Sequence, residues 1–280
     1  MKNNNVIQMK KYTLLDKSLS AIKDKSINLL VLKGETGWGK TKTTLDYSKK
    51  NEINYEYINN YATPLSFYKL LYKNRKKDVL IFDDLQSIND TKIMSMIKAV
   101  CWVSEDNKRI INYYSTSKIL EKEGLPNSFE FDASIILIFN NSFAGFEPIL
   151  DRGVCINFDF SFKEKIKILE NFQKGAKIED DVLKYIKKNC NQATKNLSIR
   201  TAVILSNLKR AGYDFKMFAQ EILKTDNEIQ ELINMSAEDW CKNSHKHLAT
   251  YYRKCKKHNL PTPIQQKRKE LKNKKIHTFK

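Results

Sequence analysis

The sequence predicts an α/β core on a mostly parallel sheet, followed by a small α-helical module and a basic C-terminal helical extension. Three observations predict it. Short apolar runs alternate with amphipathic helical stretches through about the first 160 residues. The first of these runs passes through a glycine-rich turn straight into a helical stretch. From Ser161 onward strand signals vanish and only helical patterns remain.

Taken in order, a polar leader precedes a helix over 14–23. Residues 27–32, Ile-Asn-Leu-Leu-Val-Leu, read as a buried strand, and 42–50 can be helical after the glycine turn. A second strand falls at 55–58. Pro64 opens an amphipathic helix through Arg75, with Leu65, Tyr68, Leu71 and Tyr72 on one face. The apolar run 79–82 is a short buried strand that ends in Asp83 and Asp84. Residues 92–100 are helical, and 109–114 alternate and are rich in β-formers. The run 134–139 is a buried strand ending in Asn140, and 154–158 closes the sheet. Helical patterns over 162–173, 179–189, 198–211 and 214–224 make a four-helix module. One last amphipathic helix over 237–257 leads to Pro261, Pro263 and a basic tail. The division expected is 1–160 for the α/β core, 161–225 for the helical module and 226–280 for the extension.

Composition narrows the class. A chain of 280 residues with 41% hydrophobic content has room for a proper core. No apolar run reaches 18 residues and no apolar segment follows Met1, so neither a membrane span nor a secretory signal is expected, and the compartment expected is cytoplasmic. Five scattered cysteines fit a reducing compartment. The net charge of +18 is uneven: residues 242–280 hold 13 Lys/Arg and one acid, Glu270. A segment of that kind suits a polyanion, most often nucleic acid; lysine drift with a solubilising tail is the plain alternative.

The glycine turn carries the strongest chemical signal. Gly34-Glu35-Thr36-Gly37-Trp38-Gly39-Lys40-Thr41 fits G-x-x-x-x-G-K-[ST], the phosphate-binding loop between strand and helix. Its backbone N–H groups and the helix N-terminus behind them surround an anionic phosphate. Lys40 is expected to reach the β- and γ-phosphates of ATP, and the Thr41 hydroxyl to hold Mg²⁺. Asp83 follows four apolar residues, as a Walker B aspartate does, and is expected to share that Mg²⁺; Asp84 is expected to polarise the attacking water.

Taken together these marks resemble the AAA+ family of P-loop ATPases, over about residues 14–224. The resemblance implies a sensor 1 role for Asn140, at the end of the third buried strand; Asn141 beside it is the alternative, disfavoured by strand spacing. Pro148-Ile149-Leu150-Asp151-Arg152-Gly153 resembles the box holding the arginine finger, which implies that Arg152 serves a neighbouring subunit. Ser198-Ile199-Arg200 resembles the sensor 2 motif of a helical lid. The resemblance thus implies an ATPase with sites between the subunits of a ring, usually a hexamer. The chain has 43 lysines and only seven arginines, so a planar guanidinium at 152 and at 200 stands out.

One departure matters. Most members carry Asp-Glu where this chain has Asp83-Asp84. The shorter side chain sets its carboxylate back by about 1–1.5 Å, enough to lower rates by about 10²-fold unless the site is re-spaced.

Between the Asp pair and Asn140, residues 101–104 and 109–114 are expected to form a hairpin with a polar tip, similar in position to the pre-sensor-1 hairpin of ring helicases and RuvB-like motors. Lys108 and Arg109 would meet phosphates there, with Tyr113 or Tyr114 as stacking groups. The run 124–131 resembles phage- and plasmid-type members. Cys241, His245, Cys255 and His258 invite a zinc reading, which a continuous 237–257 helix opposes, because its two pairs would lie about 20 Å apart. The function expected is ATP hydrolysis coupled to work on DNA or another nucleic acid, as a helicase, helicase loader, translocase or replication factor. Protein remodelling and a nucleotide switch with little hydrolysis are the alternatives.

Overall fold

The computed structural model describes residues 10–59, 62–102, 106, 108–114, 119–140, 147–258 and 260. Asn141, most of the polar tip at 103–107 and the basic tail from 261 lie outside the described residues. The chain divides into two compact units, one ending at Asp159 and the other beginning at Phe160.

The first unit runs α1 (Lys10–Lys23), β1 (Leu29–Lys33), α2 (Lys40–Lys50), β2 (Tyr55–Ile58), α3 (Pro64–Lys73), β3 (Val79–Asp83), a 3₁₀ turn (Gln86–Asn89), α4 (Thr91–Cys101), β4 (Ile110–Asn112), α5 (Ile119–Lys122), β5 (Ser128–Glu130), β6 (Ser134–Phe139), α6 (Glu147–Leu150) and β7 (Val154–Asn157). Strands β2-β3-β6-β1-β7 form one sheet in that order, and every pairing is parallel. The central strands are buried on both faces, so they are apolar without alternation. Leu29, Val31, Leu80, Phe82, Ile135 and Leu137 share a core with Phe67, Leu71, Ile93 and Ile97 of α3 and α4. Their alternates Leu30, Leu32, Ile81 and Ile136 are buried on the opposite face, and α1 packs on β1 and β7.

Register positions the site. Lys33 pairs with Phe139 and Asp83 with Ile138. The C-terminal ends of β1, β3 and β6 are therefore level, and the residues that follow them come together at one edge of the sheet.

The expected hairpin is corrected. Cys101 ends α4 rather than opening a strand, and β4 pairs antiparallel with β5, with Ile111 opposite Phe129. The partner lies beyond α5, where Tyr68 and Tyr72 of α3 bury the Phe129 ring.

The second unit is helical: α7 (Phe162–Phe172), α8 (Asp180–Asn189), α9 (Ile199–Arg210), α10 (Phe215–Ile222), α11 (Asn227–Asn234), α12 (Ala237–Ser244) and α13 (Leu248–Lys257). Caps explain several of the helix starts: a Ser161/Glu164 capping box opens α7, and Ser198 and Ser236 cap α9 and α12. The expected single helix over 237–257 is corrected to two. His245 adopts φ 52° and ends α12, and the chain turns before α13. The turn lets Trp240 and Tyr251 meet with ring centroids 5.6 Å apart, in a small core with Leu232, Ala237 and Cys255.

Candidate active site

The phosphate-loop sequence occupies the turn between β1 and α2. Gly39 sits at φ 79° and starts α2, accepting from Thr43 N–H at 2.8 Å. Trp38 is fully buried, takes a hydrogen bond on its carbonyl from the Tyr12 hydroxyl at 2.8 Å, and donates its indole N–H to Glu35 Oε2 at 3.1 Å. Asp159 Oδ1 accepts from the Glu35 N–H at 3.2 Å, so the loop is tied to the segment leaving β7.

Lys40 is only 4% exposed. Its ammonium donates to the carbonyls of Gly34 and Glu35, each at 2.8 Å, and to Asn140 Oδ1 at 3.4 Å. Burial pulls its pKa below the ordinary lysine value, while Asp84, Asp83, Asp159 and Glu35 act the other way. Thr41 Oγ1 donates to Asp83 Oδ2 at 2.8 Å, and the Tyr57 hydroxyl donates to the same oxygen at 2.9 Å. Burial, then the bond to Asp83 and the two carboxylate charges, pushes the Tyr57 pKa up to about 12, so the phenol keeps its proton.

Asp84 closes the cluster. Its N–H donates to Ile138 O at 2.9 Å, and its carboxylate accepts from the Asn140 amide. Burial and the Asp83 charge raise its pKa, against Lys40 and Asn140. Its φ of 51° lies in the left-handed region, where Asp and Asn are enriched.

Lys40, Thr41, Asp83, Asp84 and Asn140 therefore meet in one place. An ammonium, a hydroxyl, two carboxylates and an amide make a site for a phosphate ester and a hard cation. The Thr41 hydroxyl and Asp83 carboxylate, 2.8 Å apart, are oxygen donors of the kind that could hold Mg²⁺.

No known family profile matches the sequence. A 36.7 kDa uncharacterised protein of Enterobacteria phage T4, from the nrdC-mobD intergenic region, is 27% identical over 226 residues, covering 71% of this chain and 68% of that one. Among solved structures, a point mutant of Thermotoga maritima RuvB superposes with a TM-score of 0.50 and 17% identity, covering 88% of this chain and 84% of that one. RuvB of that organism is described as a Holliday junction branch migration motor. Cdc6p of Pyrobaculum aerophilum covers 98% of this chain and 86% of its own at TM-score 0.49 and 14% identity.

The chain has the AAA+ P-loop ATPase fold.

Within this AAA+ fold the remaining expected residues lie apart from the Lys40 cluster or in the second unit. Arg152 is exposed just before β7; burial pushes the Cys101 thiol up to about 11, and the charges of Arg109 and Arg152 act against it. Leu30 pairs with Val154, so Arg152 stands at the level where β1 begins, about 15 Å from the strand end that carries the loop. Arg200 is exposed in the first turn of α9, behind the Ser198 cap, in the second unit.

The phosphate-contact role expected for Arg109 is corrected. Its guanidinium is buried and donates to the carbonyls of Asp132 at 2.6 Å, Ala133 at 2.8 Å and Val100 at 3.4 Å, with Phe131 beneath it. A fork spent on three carbonyls braces the β4–β5 element. Lys108 is exposed and lies 3.9 Å from the Glu130 carboxylate. Tyr113 packs on Tyr68, whereas Tyr114 is exposed. The α12–α13 break removes the geometric objection to zinc, yet among the described residues no group of three or more His, Cys, Asp or Glu is placed to hold a metal. Cys255 lies inside the Trp240–Tyr251 core.

Tyr57 is the site residue that sequence reasoning missed. Its signal was the parallel register: Tyr57 pairs with Ile81, two residues before Asp83, so both side chains share a face.

Proposed function

We propose that this protein hydrolyses ATP and couples the reaction to work on nucleic acid, as an assembly of identical subunits. The observation that carries the reading is the convergence of Lys40, Thr41, Asp83, Asp84 and Asn140 at the level ends of β1, β3 and β6. Lys40 and the loop amides would stabilise the charge developing on the transferred phosphate. Thr41 and Asp83 would hold Mg²⁺, which when bound neutralises phosphate charge. Asp84 would orient and deprotonate the attacking water, with Asn140 fixing its carboxylate. Arg152, set at the far end of β7 from its own loop, suits a site on a neighbouring subunit rather than its own.

The basic extension supports nucleic acid as the polymer. Residues 242–258 carry six Lys/Arg and no acid. Lys254 pairs with Glu228, while Arg253, Lys256 and Lys257 are exposed along α13. The break at His245 places that basic stripe on a packed helix after a short turn, a form that suits phosphate contact along a duplex. RuvB, whose point mutant shares the fold, is by its description a motor on Holliday junctions.

The test is the ATPase rate with and without single-stranded DNA, duplex DNA, RNA or unfolded protein. Stimulation by nucleic acid supports the reading. Stimulation by unfolded protein alone points to a remodeller, and nucleotide binding without turnover points to a switch. Two further outcomes follow. Replacing Arg253, Lys256 and Lys257 with alanine should lower the slope of log affinity against log salt by up to about 2.7 for duplex DNA, measured by anisotropy across a salt series. Lys40→Ala and Arg152→Ala proteins should each be inactive alone, the second by about 10³-fold or more. Mixed one to one, they should regain activity, because about a quarter of head-to-tail interfaces then pair intact halves. Steady-state rates of the mixtures check this.

A further inference from the structure

We propose that Tyr57 is a positioning residue of the candidate active site, holding the Asp83 carboxylate in the orientation that receives the divalent cation beside Thr41. The inference rests on the ATPase reading above and adds to it a residue outside both phosphate-binding motifs.

Tyr57 lies on β2, an edge strand of the sheet. Its pairing with Ile81 puts it on the same face as Asp83, one diagonal step away, within reach of a long aromatic side chain. The hydroxyl lies 2.9 Å from Asp83 Oδ2, and Thr41 Oγ1 lies 2.8 Å from that same oxygen. An aspartate carboxylate turns easily about its last torsion, whose distribution is broad. Two donors on one oxygen remove that freedom, and they come from different elements, one from β2 and one from the first turn of α2. Tyr57 is 37% exposed, so packing in the core does not explain its placement; the hydroxyl contact does. Tyr57 also ties an edge strand to a strand that carries cation chemistry, so a shift of β2 would reach the cation through one hydrogen bond.

Tyr57→Phe keeps the ring and removes the donor. The measurement is Mn²⁺ affinity of the full chain with ADP bound, read from the free-Mn²⁺ electron paramagnetic resonance signal. Affinity should fall by about three- to tenfold, the effect of losing one hydrogen bond to a carboxylate at a partly exposed site. ADP affinity in EDTA and the melting temperature should stay as in the wild type. In an Asp83→Asn background, Tyr57→Phe should add no further loss, because the two act through one carboxylate. Unchanged Mn²⁺ affinity in Tyr57→Phe overturns the inference, as does a loss that persists undiminished in the Asp83→Asn background. A parallel drop in ADP affinity in EDTA also overturns it, because Tyr57 then supports the nucleotide itself. Wild-type protein that binds no nucleotide overturns the ATPase reading together with this inference, whereas wild-type binding of Mn²⁺–ADP with an indifferent Tyr57→Phe overturns this inference alone.

Discussion

Asp84→Asn should lower ATP turnover by about 10²–10⁴-fold, the range lost when a positioned general base is removed, while nucleotide affinity stays close to that of the wild type. The substitution is well matched to its backbone. Asp84 holds φ 51°, and asparagine tolerates the left-handed region as well as aspartate does. The main-chain bond from Asp84 N–H to Ile138 O is kept, and so is the shape of the side chain. What is lost is the negative charge beside Lys40 and the ability to take a proton. Asp84→Glu is the informative companion. It lengthens the side chain by one methylene and displaces the contact to Asn140. It should therefore be slower than the wild type, despite looking like a repair. The pH profile gives the sign. Burial and the neighbouring Asp83 raise the Asp84 pKa. The ionised base is present above that raised value and is lost as pH falls through it. The acidic limb of kcat should be set by this group, and residual turnover of Asp84→Asn should lack that limb. Single-turnover rates across pH check both statements, and unchanged turnover in Asp84→Asn removes Asp84 from the mechanism.

The parts of this architecture legible in the sequence are those where one physical requirement dominates. β6 was read at 134–139, as it is in the structure, because a central parallel strand needs apolar side chains on both faces. The phosphate loop, Asp83 and Asn140 were legible because each closes such a strand, and register brings strand ends together. Arg109 was misread because charge in a sequence does not reveal burial; only the position of β5 shows that its guanidinium faces the Asp132 and Ala133 carbonyls. The α12–α13 turn was missed because Cys241, His245, Leu248, Tyr252 and Cys255 keep helical spacing through it, with neither glycine nor proline to mark the break. What accompanies the turn instead is the contact of Trp240 with Tyr251 across it. Tyr57 depends on a cross-strand register, which no local pattern encodes.

Gly34→Ala should be strongly damaging, because it meets two costs at once. Gly34 sits at φ 127°, outside the range of an L side chain, and a Cβ there would lie 2.7 Å from the Phe158 carbonyl carbon and 2.8 Å from its nitrogen. The obstacle is backbone and cannot rotate away. It is also held: Phe158 N–H donates to Lys33 O at 2.6 Å, and the Phe158 ring packs edge-on against Tyr12 at 5.5 Å. Relief therefore requires moving either the loop or the segment leaving β7, with its Asp159 bond to Glu35 N–H. Overpacking and a disallowed φ each cost about 1–3 kcal/mol. A total of about 3 kcal/mol is expected, a fall of roughly 6–12 °C in melting temperature for a unit of this size. Gly124→Ala separates the two costs. Gly124 also has positive φ, 64°, but nothing lies within 4 Å of its would-be Cβ. It should lose about 1 kcal/mol and keep full nucleotide binding. In Gly34→Ala, nucleotide affinity should fall further than stability alone accounts for, because the loop that yields to the clash is the one whose carbonyls hold Lys40. Thermal melts and ADP titrations of the two variants decide it: equal losses at Gly34 and Gly124 would mean that close approach to Phe158 does not constrain the loop.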